Sequence, residues 1–150
     1  MTALTLRHAT ADDLGAILAL HAEDSMHYYA EPEQVTDRQR AAIDEIIADE
    51  HQDLLVGEID GVVVCTAQVT WMRMLAADGG LYCQVEAVRT ATSHRGRGIG
   101  RALMDHIEAE AARRGAARIQ LTSNVSRTRA HRFYADLGYE PTHVGMKKYL

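Results

Sequence analysis

The chain has 150 residues, with 16 Lys or Arg against 21 Asp or Glu, so its formal net charge is −5. This length fits one domain, residues 1–150, whose core is large enough to fold without disulfides or a structural metal. The mild acidity argues against general binding to nucleic acid or to an anionic membrane surface. No apolar run approaches the ~20 residues that span a bilayer, and no signal stretch is evident, so we expect a cytoplasmic protein.

Neither the cysteines nor the histidines form a pattern typical of a metal site. Cys65 and Cys83 lie in apolar, strand-like runs rather than in a CxxC pair, which favours two core residues. None of the eight histidines belongs to an HExxH motif or another compact ligand spacing. We therefore predict no metal site.

The first part of the chain predicts a strand and two helices. Residues 4–7 alternate as a strand does, and Thr10 is a candidate N-cap for the helix that follows. The pattern weakens over residues 21–39, as is common where a segment lines a binding cleft. Ile43 and Ile46 then indicate a second helix.

Antiparallel strands are predicted next. Residues 54–59 and 62–70 are β-branched runs separated by Asp60-Gly61, which is a strong hairpin signal. A second glycine-marked connection, residues 76–80, leads into a further strand over residues 81–90.

The remainder predicts a glycine loop, two helices and two strands. These are the loop 95–100, a helix over 101–114 that ends at Gly115, a strand over 118–122, a helix over 128–137 that ends at Gly138, and a strand over 144–149 that closes the sheet. The strand over 118–122 follows the first of these helices. A right-handed crossover should therefore place it parallel to the strand over 81–90. The fold class is therefore mixed α/β.

The glycine loop is a candidate anion site. Gly96, Gly98 and Gly100 permit a tight turn and leave backbone N–H groups uncovered, and the start of the following helix adds unsatisfied donors. The spacing GxGxG is neither the GxGxxG of a dinucleotide site nor the GxxxxGK of a P-loop, which disfavours a nucleotide-binding module. From the loop alone, a plain strand-to-helix connection stays an alternative.

Two motifs in this order resemble the GNAT superfamily, the Gcn5-related N-acetyltransferases. VEAVRTATSHRGRGIGRALM matches the RxxGxG pattern of that family through Arg95, Gly98 and Gly100. NVSRTRAHRFYADLGY supplies an Asn followed by a helix that carries a Tyr and ends at Leu-Gly-Tyr. The resemblance implies a mostly antiparallel sheet with flanking helices, in which the fourth and fifth strands are parallel and splay apart. It also implies an acetyl-CoA-dependent N-acetyltransferase that needs no metal.

The resemblance assigns a coenzyme site. Backbone N–H groups of residues 95–101 would hold the pyrophosphate, Val88 and Thr90 would pair with the pantetheine arm, and Val88 would polarise the thioester carbonyl. Asn124 would bond the arm, although it could instead be a turn residue that caps the next helix. The full coenzyme set is Val88, Arg89, Thr90, Arg95, Gly96, Arg97, Gly98, Ile99, Gly100, Arg101, Asn124 and Tyr134.

Two side chains are candidates for the chemistry. An alkylamine near pKa ~10 is protonated at neutral pH, so transfer needs a base, and Glu86 occupies the strand position where many relatives carry an acid. A carboxylate partly removed from water would suit this task, but a solvated or salt-bridged Glu is the alternative. Tyr134 matches the tyrosine that protonates the departing thiolate, and its alternative is aromatic packing.

The acceptor stays open at this stage. Tyr28, Tyr29, Trp71 and Arg127 are candidates to line its pocket, with Met26 and His27 nearby. The segment SRTRAHRFY resembles that of aminoalkylphosphonate and related small-amine acetyltransferases, so we expect a small-molecule primary amine. Amino groups of proteins or peptides, and an acyl-CoA-binding sensor or accessory protein without efficient catalysis, are the alternatives. The family also leads us to expect a homodimer.

Overall fold

The computed structural model describes residues 3–23 and 34–150. It divides into two compact units, Met1–Gln120 and Leu121–Leu150. The strands are β1 Thr5–His8, β2 Gln52–Ile59, β3 Val62–Met74, β4 Gly80–Thr90 and β5 Arg118–Leu121. The helices are α1 Leu14–Ala22, α2 Asp37–Ala48 and α3 Ile99–Arg113 in the first unit, and α4 Thr128–Asp136 in the second. The sheet order is β1-β2-β3-β4-β5, antiparallel up to β4 with β5 parallel to it, which confirms the predicted mixed sheet.

Local sequence signals fix the first hairpin and the start of α1. Asp60 and Gly61 both have positive φ, 53° and 75°, as a two-residue turn of the primed type requires. A short 3₁₀ turn precedes α1, where the Asp13 carboxylate accepts the Thr10 N–H at 2.8 Å. Arg7 donates to both oxygens of that carboxylate, at 2.7 and 2.9 Å, and thereby lowers the pKa of Asp13. This partly buried pair ties β1 to the entry of α1.

The sheet of the first unit has helices on both faces. On one side, here called the α1 face, Leu54 and Val56 of β2 pack with Ile17 of α1 and Ile43 of α2. On the other, the α3 face, Leu55 and other β2 and β3 side chains lie beside Ile107 of α3. The core is therefore made by alternate residues of the same strands.

The two cysteines lie in this core, as predicted. Cys65 and Cys83 are free thiols with no exposed surface. Burial raises their pKa values, to about 11 for Cys65 and about 12 for Cys83. Both thiols are therefore protonated and unreactive at neutral pH.

One extra residue interrupts the pairing of β3 with β4. Gln68 pairs with Glu86 and Thr66 pairs with Arg89, so two steps along β3 match three along β4. Ala87, inside the longer interval, has a φ of 53°. This is a β-bulge, and it reverses the alternation of every later side chain in β4. The partners of Leu54 and Val56 are Gln68 and Thr66. Glu86 and Arg89 therefore share the α1 face, although they are three positions apart on the strand.

The predicted closing strand over residues 144–149 is wrong. Residues 141–150 are all described and contain no strand. Val144 and Met146, the two residues that would have pointed inward, are 84% and 90% exposed. The alternation of apolar residues ends at Met146, because the next residue that would face the same side is Lys148. A strand needs a longer apolar face to offset the entropy of ordering it.

The bulge leads to a prediction about stability. A residue with a side chain in the left-handed region is strained by about 1–2 kcal/mol, and glycine avoids this strain. We expect Ala87→Gly to raise the free energy of unfolding by about 0.5–1 kcal/mol in denaturant titrations, and Ala87→Val to lower it by about 1–2 kcal/mol. Ala91, at the end of the same strand, has a φ of −49° and is the control. Ala91→Gly should be destabilising, and the same sign at both positions would contradict the bulge.

Candidate functional site

The loop before α3 forms an open cradle of backbone donors. Gly96 and Gly98 have φ values of 75° and 79°, and Gly98 is the N-cap of α3. A Cβ placed on either glycine would meet no atom within 4 Å, so the space above this backbone is empty. The first N–H groups of α3 lack intrahelical partners, and no acidic side chain lies in its first turn. Together with the helix dipole, these donors favour a phosphate or pyrophosphate group.

The helix begins at Ile99, the first of the apolar residues whose four-residue repeat indicates it, just before the amphipathic run that starts at Arg101. The left-handed conformation of Gly98 allows this, because it lets the chain turn directly from the loop into the helix. Ile99 is buried, whereas Arg97 and Arg101 are exposed around the cradle. Arg95 donates its Nε to the Thr90 carbonyl at 3.3 Å, which connects the loop to the end of β4.

The carboxylate of Glu23, the C-cap residue of α1, holds the segment between β4 and the cradle. Glu23 accepts the Thr92 N–H at 2.7 Å and the Thr92 hydroxyl at 2.8 Å. These hydrogen bonds lower the pKa of Glu23. Sequence reasoning gave Glu23 no role, because its partner is 69 residues away.

Glu86 lies on the α1 face next to the bulge. Its side chain is exposed, rather than partly removed from water as the sequence suggested. Gln84 donates its Nε2 to Glu86 Oε1 at 2.8 Å. The bulge residues Ala87 and Val88 follow at once, so a carboxylate and an irregular stretch of backbone are adjacent. This arrangement can accept a proton and present backbone donors to a carbonyl group.

Arg89 lies on the same face. Its guanidinium donates to the Val88 carbonyl at 2.9 Å, within the bulge. His21, near the end of α1, has its pKa lowered by burial and then by the positive charge of Arg89. The imidazole is therefore neutral at pH 7.

The second unit contains three of the sequence-predicted residues, Asn124, Arg127 and Tyr134. Asn124 Oδ1 accepts the Ser126 N–H at 3.0 Å and the Ser126 hydroxyl at 2.9 Å, which makes it a turn residue before α4. Arg127 is the N-cap position of α4. Tyr134 makes edge contacts with Phe133 and Tyr139, at ring-centroid distances of 5.1 and 5.8 Å. Its ring is therefore part of an aromatic group in this unit.

The sequence matches the profile of the Acetyltransferase (GNAT) family over residues 16–139. The chain belongs to this family. Its fold agrees, since the mixed sheet, the parallel β4–β5 pair and the glycine loop before α3 are all present. The protein is therefore an N-acetyltransferase, and members of this family use acetyl-CoA.

Individual relatives cover the whole chain. The aminoalkylphosphonate N-acetyltransferase of Salmonella typhimurium is 28% identical over 100% of this chain and 94% of its own length. A solved structure described as a transcriptional regulator from Bacillus halodurans C-125 is 32% identical, with a TM-score of 0.94 over 99% of this chain and 100% of that one. AAC(6')-Iy, solved with the bisubstrate analogue CoA-S-monomethyl-acetylneamine, is 17% identical with a TM-score of 0.80 over 99% of both chains, and supports the fold alone.

Of the predicted acceptor residues of the first unit, only Trp71 lies within the described part of the chain. Tyr28 and Tyr29, with Met26 and His27, lie outside the described residues. Trp71 pairs with Cys83, so its side chain is on the α3 face, opposite Glu86. We therefore do not include Trp71 in the proposed acceptor pocket.

Trp71 instead belongs to a polar cluster at the end of α3. Its indole N–H donates to Asp53 at 2.7 Å, and the Arg114 guanidinium stacks 4.3 Å from the ring centroid. Arg114 bridges Asp53 at 3.1 Å and Glu110 at 2.6 Å. A cavity of about 320 Å³ opens here. The cluster neutralises two partly buried acids and binds the helix end to the sheet.

The described part of the chain has neither a membrane-spanning helix nor a metal-binding cluster. Within residues 3–23 and 34–150, no helix is both long and apolar enough to cross a membrane. The same part of the chain has no group of three or more His, Cys, Asp or Glu side chains arranged to hold a metal ion.

The α3 cluster leads to a prediction about pH. Hydrogen bonds from Arg113 and then Arg114 lower the pKa of Glu110 from 4.5 to about 2. Because the folded-state pKa is the lower one, the stabilisation is fully present above pH 4.5 and is lost as the pH falls towards 2. The Glu110 side chain is 27% exposed, so we expect Glu110→Gln to lower the free energy of unfolding by about 0.5–1 kcal/mol at pH 7.

This difference should disappear near pH 2 in thermal melts of the two proteins. Asp105→Asn removes the same charge from an exposed position of α3 and serves as the control. A stability loss from Glu110→Gln that is equal at pH 7 and pH 2 would show that the ion pairs do not cause it.

Proposed function

We propose that this acetyltransferase moves the acetyl group of acetyl-CoA directly to a primary amine of a small molecule, through a tetrahedral intermediate. The open glycine cradle at the start of α3 is the observation that supports acetyl-CoA as the acetyl donor. The coenzyme pyrophosphate is a large anion, and the backbone N–H groups of residues 95–101 would hold it. Arg97 and Arg101 are exposed at this loop and would add positive charge around the phosphates.

The bulge supports the placement of the acyl group. A pantetheine arm along β4 would pair with the backbone of Val88 and Thr90. Irregular pairing at Ala87 and Val88 makes backbone donors available beside Glu86, where they would stabilise the developing oxyanion. In this proposal Arg89 orients the bulge through its hydrogen bond to the Val88 carbonyl.

Glu86 is the proposed base. The acceptor amine must lose a proton to become a nucleophile, and an exposed carboxylate next to the acyl site can accept that proton directly or through water. After the intermediate collapses, Tyr134 would protonate the coenzyme thiolate, and Asn124 would bond the coenzyme arm. These last two roles follow from the motif that both residues match.

The proposal that the acceptor is a small amine is supported by the similar proteins. The aminoalkylphosphonate N-acetyltransferase matches the chain over its full length, and its name indicates a small amine with an anionic group. Arg127 is the candidate to meet such an anion. The second hypothesis is an acyl-CoA sensor, because one similar structure is described as a transcriptional regulator. Glu86 and Tyr134 favour the enzyme, because a sensor needs neither a base nor an acid.

An acceptor screen separates these hypotheses. Thiol release from acetyl-CoA would be measured with 2-aminoethylphosphonate, aminoglycosides, amino acids, polyamines and peptide N-termini. Turnover of a small amine supports the proposal, and turnover of peptides alone contradicts it. Stabilisation by acetyl-CoA without turnover of any amine would support the sensor. We also propose a homodimer on family grounds, and a monomer mass in light scattering would refute it.

The coenzyme site predicts a specific effect at Gly98. Gly98→Ala places a methyl group over the proposed pyrophosphate position, so we expect the KM for acetyl-CoA to rise about tenfold, which is about 1.4 kcal/mol. Gly115, at the other end of α3, has a φ of 68° and equally open surroundings. Gly115→Ala should lower the melting temperature similarly and leave this KM unchanged. Equal KM values for both variants would place the coenzyme elsewhere.

The chemical roles predict separate kinetic changes. Glu86→Gln should lower kcat by about 100-fold, because a general base contributes about 10²–10⁴-fold. Tyr134→Phe should lower kcat and leave the KM for acetyl-CoA near the wild-type value. A wild-type kcat in Glu86→Gln would assign the base to another group.

A further inference from the structure

A row of hydrogen-bonded side chains crosses the sheet and ends at Glu86. Arg118 Nε donates to Gln120 Oε1 at 3.0 Å, and Gln120 Nε2 donates to Gln84 Oε1 at 2.8 Å. Gln84 Nε2 then donates to Glu86 Oε1 at 2.8 Å. We call these four residues the amide chain. All of them belong to the unit Met1–Gln120.

The chemistry of its two ends fixes the direction of this chain. A guanidinium only donates hydrogen bonds, and an ionised carboxylate only accepts them. Gln84 must therefore turn its NH₂ group towards Glu86 and its oxygen towards Gln120. Gln120 must in turn present its NH₂ group to Gln84 and its oxygen to Arg118. Each amide has one orientation that satisfies both neighbours, so the chain is set as a unit.

Other contacts hold the donor end in place. The Arg118 guanidinium lies 4.0 Å from the ring centroid of Tyr82, two residues before Gln84 on the same strand. A stacked guanidinium has fewer free conformations, so its Nε has a defined direction. The carboxylate end is next to the bulge, where the acyl group would lie.

We propose that Gln84 and Gln120 are positioning residues for the base. The chain engages Oε1 of Glu86 and leaves Oε2 to receive the proton of the acceptor amine. Gln120 and Arg118 act only through Gln84, so a change at Gln120 alters catalysis without contact with either substrate. This inference rests on the proposed role of Glu86 as the base.

The test reverses the direction of the chain from a distance. Gln120→Glu keeps the shape of the side chain and replaces its NH₂ donor by an acceptor. The new carboxylate accepts from Arg118 and competes with Glu86 for the one NH₂ group of Gln84. When the Gln84 amide turns to donate to it, the Gln84 oxygen faces the Glu86 carboxylate. Two acceptors then face each other, and the base loses its preferred orientation. We expect kcat to fall about tenfold while the KM for acetyl-CoA stays unchanged.

A double variant provides the decisive measurement. In Glu86→Gln with Gln120→Glu, the new amide at position 86 donates to the turned Gln84, so every group in the chain has a partner again. The single variant Gln120→Glu should lower the melting temperature by about 2 °C, and the double variant should regain it. This readout needs no acceptor. For kcat, Gln120→Glu should have no further effect in the Glu86→Gln background, because it acts through Glu86.

Gln39→Glu is the matched control for charge and shape. Gln39 accepts the Thr36 N–H in the capping box of α2, where Glu serves equally well. The assays would use 2-aminoethylphosphonate and the fastest amine of the acceptor screen. A wild-type kcat in Gln120→Glu would overturn the positioning role alone. So would a loss of kcat from Gln120→Glu that is as large in the Glu86→Gln background as in the wild type. A wild-type kcat in Glu86→Gln would instead overturn the proposed base, and the positioning role with it.

Discussion

The bulge at Ala87 is the constraint on which the candidate site depends. Side chains along a strand alternate between two faces. Inserting one residue therefore moves every later side chain of the strand to the opposite face. The residues of β4 before the bulge place Glu86 on the α1 face, and those after it place Arg89 on that same face. A regular strand would have turned Arg89 towards α3. The bulge thus gathers an acid, a guanidinium and irregular backbone on one side of one strand.

The two ends of α3 have opposite chemistry, and the local sequence explains both. Its first turn has no acid, and Gly98 leaves the backbone donors uncovered for an anionic ligand. Its last turns contain Glu110, Arg113 and Arg114, which bond to one another and to Asp53. Cationic groups near a helix C-terminus complement the dipole, so this end is satisfied by the protein itself. The helix is fixed at one end and open to a ligand at the other.

The sequence predicted the parts of the structure that depend on neighbouring residues. Asp60-Gly61 predicted its hairpin because positive φ at two positions is a local requirement, and the glycines of the loop predicted the tight turn into α3 for the same reason. The bulge was not predicted, because alanine rather than glycine occupies the positive-φ position. The amide chain was missed because it joins β4 to β5, and cross-strand neighbours depend on a register that no local pattern reveals. The closing strand was predicted from an alternation only two residues long, which the structure leaves exposed.

The position of Trp71 determines what spectroscopy can observe in this protein. It is the only tryptophan of the chain, and its indole is buried between Asp53 and the Arg114 guanidinium. Intrinsic tryptophan emission therefore reports the unit Met1–Gln120, and it does so from the face opposite Glu86. The tyrosines Tyr134 and Tyr139 lie in the other unit. Tyr82 lies on β4 of the first unit, so a tyrosine change that precedes the change in tryptophan emission would indicate that Leu121–Leu150 unfolds before the sheet.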